Sequence, residues 1–210
     1  MSEEQTVAVL MLLAGAALLY FFGWRAALLV APYSVRVEVE TPADATRVPD
    51  ELADAVSELK RLGFALLGGH SERFLFRATR PYVDLKRDDV VASLTVGRDE
   101  QDELTLWTCC GEGFVVTSNF KRPAREVRGW YLGGGIDGAA PERLLNVHLR
   151  RVNEVGQSTP RADLEAHVAA VRRWFVTQGK PELREQHALA LLWSLGALGM
   201  VGAALNRLLN

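Results

Sequence analysis

The 210-residue sequence predicts an α+β domain carried between two transmembrane α-helices, with an antiparallel sheet of about five or six strands and helices packed on one of its faces. Three observations lead there: an uncharged run near each end, an alternating and turn-rich centre, and two amphipathic helical patterns behind it. Val7 to Gly23 runs 17 residues without a charge, and apolar character resumes from Ala26 to Ala31. Ala188 to Leu205 adds a second run of 18 uncharged residues. A bilayer core about 30 Å thick needs about 20 helical residues at 1.5 Å each. Transmembrane helices are therefore expected at 7–31 and 188–206, enclosing a domain at 34–186. The bland alternative, two core helices apolar on every face, is more than a domain of this size needs.

The stretch ahead of the first run, Met1-Ser-Glu-Glu-Gln-Thr6, is acidic, whereas a cleavable signal peptide opens on basic residues. A retained anchor is expected. Basic residues near helix ends set orientation, because they stay on the cytoplasmic side. Arg25, Arg36, Arg172, Arg173, Lys180 and Arg184 lie towards the domain; the two tails hold only Arg207. This places the domain in the cytoplasm and both tails outside. Tyr20, Phe21, Phe22, Trp24 and Trp193 then fall near the domain-side interface, where amphipathic rings are favoured. Gly196, Gly199 and Ala203 share a face of the second helix, and Ala16, Gly23 and Ala27 one of the first. Such stripes allow close helix approach, within one chain or in a homo-oligomer.

Within the domain, Tyr33 to Glu40 alternates apolar and charged residues as a half-buried strand does. A helix follows from Pro49, with Asp50 and Glu51 at the positive dipole end, Lys60 and Arg61 at the other, and Gly63 as the stop. Strands are predicted at Phe64 to Leu67, ending or bending at Gly68-Gly69, and at Arg73 to Thr79. Further strands are expected at Asp89 to Val96, Glu103 to Cys110 and Gly113 to Phe120, with turns at Arg98 to Asp102 and Gly111-Glu112. Asp89 to Val96 alternates Val90, Ala92 and Leu94 against Val91, Ser93 and Thr95. Pro141 to Val155 and a segment opened by a Thr159-Pro160 cap, running to about Thr177, complete the domain as helices.

Charge and cysteine content narrow the function. Setting aside Glu3, Glu4, Arg25 and Arg207 leaves 22 basic and 24 acidic groups in 34–186, which excludes a general nucleic-acid binder. The only cysteines, Cys109 and Cys110, are adjacent, so no disulfide framework is available, as fits a reducing compartment. Twenty Arg against four Lys, with abundant Ala, Leu and Gly, has the bias of a GC-rich bacterial genome, so a bacterial inner membrane is the expected location.

Candidate chemistry is sparse. Gly133-Gly134-Gly135-Ile136-Asp137-Gly138 fits the G-x-G-x-x-G pattern before a helix, but lacks the flanking strands of a dinucleotide fold; a glycine-rich surface loop is the plainer reading. Cys109 or Cys110 with His148 is the one thiol–imidazole pairing worth naming for catalysis. Against it, the cysteines fall on a sheet strand and His148 on an apolar helix face, where core roles are commoner. His70, His148, His167 and His187 are widely separated and show no metal-ligand spacing, so neither metal nor cofactor is expected. The segment 121–140 is expected to be a long surface loop. In it Lys121, Arg122, Arg125, Arg128, Trp130 and Tyr131 combine positive charge with an aromatic pair, suited to anionic lipid headgroups or an acidic protein partner. A solvated loop whose Trp packs on its own domain is the alternative. The reading that results is a membrane-tethered, non-enzymatic cytoplasmic module acting through partners or the lipid surface. The alternatives are a thiol enzyme using Cys109 or Cys110 with His148, and a small-ligand-binding domain.

Overall fold

The computed structural model describes residues 2–40, 48–75, 77–97, 101–156, 158–159 and 163–209. It comprises two compact units, one of Met1–Val35, Phe74–Ala78 and Lys180–Asn210, the other of Arg36–Arg73 and Thr79–Gly179.

Two long helices form the first unit. Helix α1 (Glu3–Val30) opens on a capping box: the Gln5 amide donates to the Ser2 hydroxyl at 3.2 Å, and the Ser2 amide to the Gln5 side chain at 3.1 Å. The last helix (Gly179–Leu209) runs unbroken through 31 residues, longer than the 188–206 span expected, because Pro181 lies in its first turn, where no donor is needed. Both are long and apolar enough to cross a membrane, and only 11% and 22% of their most apolar windows are buried, unlike the core helices of a soluble protein. Leu10, Leu13, Leu189, Leu192 and Leu195 stand exposed along them.

The two helices pack against each other within the chain. Ala8 and Gly15 on one side, and Ala190, Ala197 and Ala204 on the other, recur seven residues apart and are buried. A Cβ on Gly15 would press against a Val201 methyl and the Ala197 carbonyl, so the glycine sets the approach distance. Phe22 stacks on Trp193, and Trp24 meets His187, which makes the pair antiparallel. The small-residue stripes expected from sequence are displaced: Gly23, Gly196 and Gly199 face open space. Arg77, from the Phe74–Ala78 segment of this same unit, lies over the rings of Tyr20 and Trp24.

The second unit is an eight-stranded mixed sheet, with β1 (Arg36–Val39), β2 (Ala65–Arg73), β3 (Arg80–Arg87), β4 (Val90–Val96), β5 (Asp102–Cys110), β6 (Gly113–Ser118), β7 (Arg125–Val127) and β8 (Tyr131–Gly135). The order is β1-β2-β3-β4-β5-β6-β8-β7, and every pairing is antiparallel except β6 with β8. The expectation of five or six antiparallel strands is corrected on two counts. First, β2 continues past Gly68-Gly69 through a bulge to Arg73, and the strand expected at 73–79 is replaced by β3 at Arg80–Arg87. Pro81 and the charges of Asp84, Lys86 and Arg87 disguise β3 as a loop. Second, the supposed surface loop at 121–140 holds the β7–β8 hairpin. The polar link at 98–100 and the proposed cap at Pro160 lie outside the described residues.

Helices cover both faces of this sheet, where one was expected. Helix α2 (Ala53–Arg61), entered through a 3-10 turn at Asp50–Leu52, and α3 (Pro141–Val155) bury one face. There Leu52, Val56 and Leu59 of the α2 segment and Leu144 and Leu145 of α3 join Leu85, Ala92, Leu94, Leu104 and Leu106 in one apolar core. Gly63, at φ 89°, ends the α2 segment as its sequence position implies. Helix α4 (Leu164–Val176), capped by the Asp163 carboxylate accepting from the Ala166 amide at 2.8 Å, lies on the opposite face. The last helix is α5.

A buried His–Asp–His cluster as candidate functional site

The face of the sheet under α4 differs in chemistry from the face under α2 and α3. Strand alternation directs Ala92 and Leu94 to the apolar core and Ser93 to α4. In register, His70 of β2 lies opposite Tyr82 of β3, and Asp84 of β3 opposite Ser93 of β4. The α4 stripe, with His167, Val171, Trp174 and Phe175 buried, descends on these polar residues. Thus a strand-period pattern and a helix-period pattern meet, and each brings polar groups to a place that solvent does not reach.

Four side chains form a closed chain of contacts. The His70 imidazole donates from Nδ1 to Asp84 Oδ2 at 2.5 Å, and the Ser93 hydroxyl donates to Asp84 Oδ1 at 2.7 Å. His167 Nε2 is 3.1 Å from Ser93 Oγ and 3.5 Å from Asp84 Oδ1. His70, Asp84, Ser93 and His167 are all at most 2% exposed. On the outer side, His70 Nε2 is 4.0 Å from Glu72 Oε1, and the Tyr82 hydroxyl donates to Glu72 Oε2 at 3.1 Å. Tyr82 also stacks flat on His70, with centroids 4.6 Å apart.

Charge is set by this geometry. Burial disfavours the imidazolium of His70, but the Asp84 carboxylate, by charge and hydrogen bond, and then Glu72 outweigh it; its pKa is pushed up to about 10. Burial likewise disfavours the Asp84 carboxylate, and the charges and hydrogen bonds of His70 and His167 overcome it, holding the group below the usual carboxylate range. Tyr82 is raised well above the phenol range by burial and by Glu72. The result is an ion pair in the interior.

Beside the cluster is a cavity of about 100 Å³ whose walls include His70, Glu72, Ser93, Trp107, Arg122 and Trp174. The guanidinium of Arg122 lies over both indoles, 5.9 Å from the Trp107 centroid and 4.9 Å from that of Trp174. The indole N–H groups of Trp107 and Trp174 are buried and have no hydrogen-bond acceptor among the described residues. Buried donors without acceptors are uncommon, since each costs about 1–3 kcal/mol.

The residues singled out from sequence fall in different surroundings. Cys109 and Cys110 are both buried and form no disulfide, and of the two Cys110 joins the α3-side cluster with Val115 and Val152. His148 is fully buried on α3, with Nε2 2.9 Å from the Thr108 hydroxyl and Nδ1 3.0 Å from that of Thr117, the surroundings of a core histidine. Arg122 roofs the cavity, whereas Lys121, Arg125, Arg128 and Trp130 are exposed and Tyr131 is fully buried. Tyr131 therefore does not share an exposed wedge with Trp130. Gly133 and Gly135 lie in β8, where a Cβ would collide with the Tyr131 hydroxyl and the Phe120 carbonyl respectively. Those glycines allow close packing.

The cluster is not legible from motif spacing, because its histidines are far apart in the chain. Two signals were present: polar Ser93 and Thr95 alternating with apolar residues inside a strand, and His167 within an apolar helical stripe. Comparison with protein-family models, curated proteins and solved structures finds no match.

Proposed function

We propose that the chain is a membrane-anchored, non-enzymatic module of a bacterial inner membrane, with its α+β unit in the cytoplasm, that binds a small carboxylate-bearing molecule in the cavity under α4. The two buried indole N–H groups without acceptors carry this reading. Trp107 and Trp174 line the same small space as Arg122, His70 and Glu72, so the two cationic groups outnumber the one carboxylate around a volume suited to a few heavy atoms. A carboxylate satisfies the orphaned donors and pairs with the guanidinium in one step. Acetate and formate are the probes. Titrated into the ¹⁵N-labelled full chain in detergent, either is expected to shift the Trp107 and Trp174 indole resonances saturably, and Arg122→Gln is expected to weaken the effect. Indole resonances that stay unmoved at saturating acetate and formate would remove the support.

A second reading is favoured by the exposed group of Lys121, Arg125, Arg128 and Trp130, the last 56% exposed. Basic groups near anionic headgroups contribute about 1 kcal/mol each, and an indole suits the headgroup layer. Trp130 emission, isolated by difference from Trp130→Phe, would be compared for the full chain in anionic and in neutral nanodiscs. A blue shift in anionic lipid that fades with salt supports lipid contact; identical spectra leave the residues as a solvated edge.

A further inference from the structure

We infer that His70, Asp84 and His167 form a binding site for a divalent transition-metal ion of the zinc type, with the adjoining cavity as its open coordination position. This goes beyond the carboxylate reading and does not rest on it, although the two share His70 and the cavity.

Donor type comes first. Two imidazoles and one carboxylate, with no thiolate, make a set that suits zinc and its neighbours in sites that keep a position free for water or a ligand. The three donors come from β2, β3 and α4, so assembly of the fold, not local sequence, brings them together. Their candidate ligand atoms, one from each residue, all lie within 4.8 Å of one another.

Geometry comes next. A tetrahedral ion with bonds of about 2.0–2.1 Å separates its ligand atoms by roughly 3.3 Å. Asp84 Oδ1 and His167 Nε2, at 3.5 Å, already have that spacing. His70 Nδ1 and Asp84 Oδ2, at 2.5 Å, must open by somewhat less than about 1 Å. The two distances run to different oxygens of Asp84, so one ion takes both carboxylate oxygens, or one of them after the carboxylate turns, and displaces the proton between His70 Nδ1 and Asp84 Oδ2. Ser93, which donates to Asp84 Oδ1 at 2.7 Å, holds the carboxylate in line, and its contact with His167 Nε2 gives way when that nitrogen takes the ion.

Surroundings complete the case. A ligating histidine commonly turns its second ring nitrogen to a carboxylate, which fixes the ring and strengthens the ligand. His70 Nε2 faces Glu72 Oε1 at 4.0 Å, longer than a hydrogen bond, so a small approach completes this arrangement; Glu72 is held by the Tyr82 hydroxyl, and the His70 ring is stacked on Tyr82. Asp84 and Glu72 are buried, 0% and 7% exposed, and together carry the two negative charges that a divalent ion balances. The cavity beginning at His70 and Ser93 supplies room for a further ligand.

The test uses the full chain in detergent, stripped with a chelator and titrated with Co²⁺ and then Zn²⁺. One Co²⁺ per chain is expected, with visible ligand-field bands of low symmetry, no thiolate charge-transfer band in the near ultraviolet, and displacement by Zn²⁺. Glu72→Gln is expected to weaken affinity about 10–100-fold as an outer-shell partner, and His167→Ala to weaken it further. His148→Gln is expected to bind as the wild type does. Because a buried variant can fail to fold, the wild-type titration decides by itself: a folded, stripped chain that takes up no stoichiometric Co²⁺ or Zn²⁺ overturns the site. A thiolate band, or undiminished affinity in folded His167→Ala, overturns it as well. Indole shifts with acetate in the stripped chain are read separately, so loss of the metal site and loss of the carboxylate site are distinguishable.

Discussion

At the scale of single residues, Asp84 gathers three buried polar partners in the α+β unit. Its carboxylate is fully buried and touches His70, Ser93 and, more distantly, His167. Deleting one member of a buried pair leaves the other charge stranded, and the cost is about 3–5 kcal/mol. Asp84→Ala is accordingly expected to destabilise the metal-free chain by that amount in urea unfolding followed by tryptophan fluorescence. Ser93→Ala, which removes the contacts to Asp84 and His167 while the His70–Asp84 ion pair survives, should cost about 1–3 kcal/mol. If Asp84→Ala unfolds within 1 kcal/mol of the wild type, the pair is not formed as described. Gly135 offers a contrasting case in which space, not charge, decides. A Cβ there would run into the Phe120 carbonyl, a backbone atom that cannot rotate away. Gly135→Ala is expected to cost about 1–3 kcal/mol through overpacking. Gly196→Ala, which meets nothing within 4 Å, should be silent in the same assay.

At the scale of elements, legibility follows from whether the signal is local. Helix α3 was readable to the residue: Pro141 starts it, Gly156 with φ 129° follows its end, and Leu144, Leu145, His148 and Val152 keep helical spacing between. Strand β3 was not readable, because Asp84 in its middle is buried by His70 and His167, and only the folded chain supplies those partners. The same cause hid the cluster, whose members come from three elements. Sidedness was lost for a related reason. A helix pattern reveals that α4 has an apolar stripe but not which sheet face will receive it. For the paired long helices, composition revealed the small residues, yet the seam falls on Ala8, Gly15, Ala197 and Ala204 and not on Gly196 and Gly199. Gly15→Leu is therefore expected to separate the helices and Gly196→Leu to leave them paired. Disulfide trapping between cysteines introduced at Ala8 and Ala204 would report this. Equal trapping in both variants would place the seam elsewhere.

At the scale of the whole chain, orientation follows from an antiparallel helix pair and a one-sided charge distribution. Gly15 meets Ala197 and Val201, Phe22 meets Trp193 and Trp24 meets His187, so α1 and α5 run in opposite senses and both termini emerge at one end. Their 28 and 31 residues give lengths of about 42 and 46 Å, enough to cross the apolar layer and extend beyond it. The end that bears the termini carries Glu3, Glu4 and one arginine, Arg207. The opposite end carries Arg25, Lys180 and Arg184, with Trp24 near it. Since Lys and Arg within about 15–20 residues of a span govern its insertion, the α+β unit is expected on the cytoplasmic side and Ser2 outside. Exposed Ser2 and exposed Glu126 suit single cysteine replacements, because the native Cys109 and Cys110 are buried and form a low background. In intact spheroplasts, a membrane-impermeant maleimide should label Ser2→Cys at once and Glu126→Cys only after permeabilisation. The reverse pattern would invert the orientation. Release of the chain by alkaline carbonate would remove it from the bilayer altogether and return the exposed leucines of α1 and α5 to the role of a protein-binding surface.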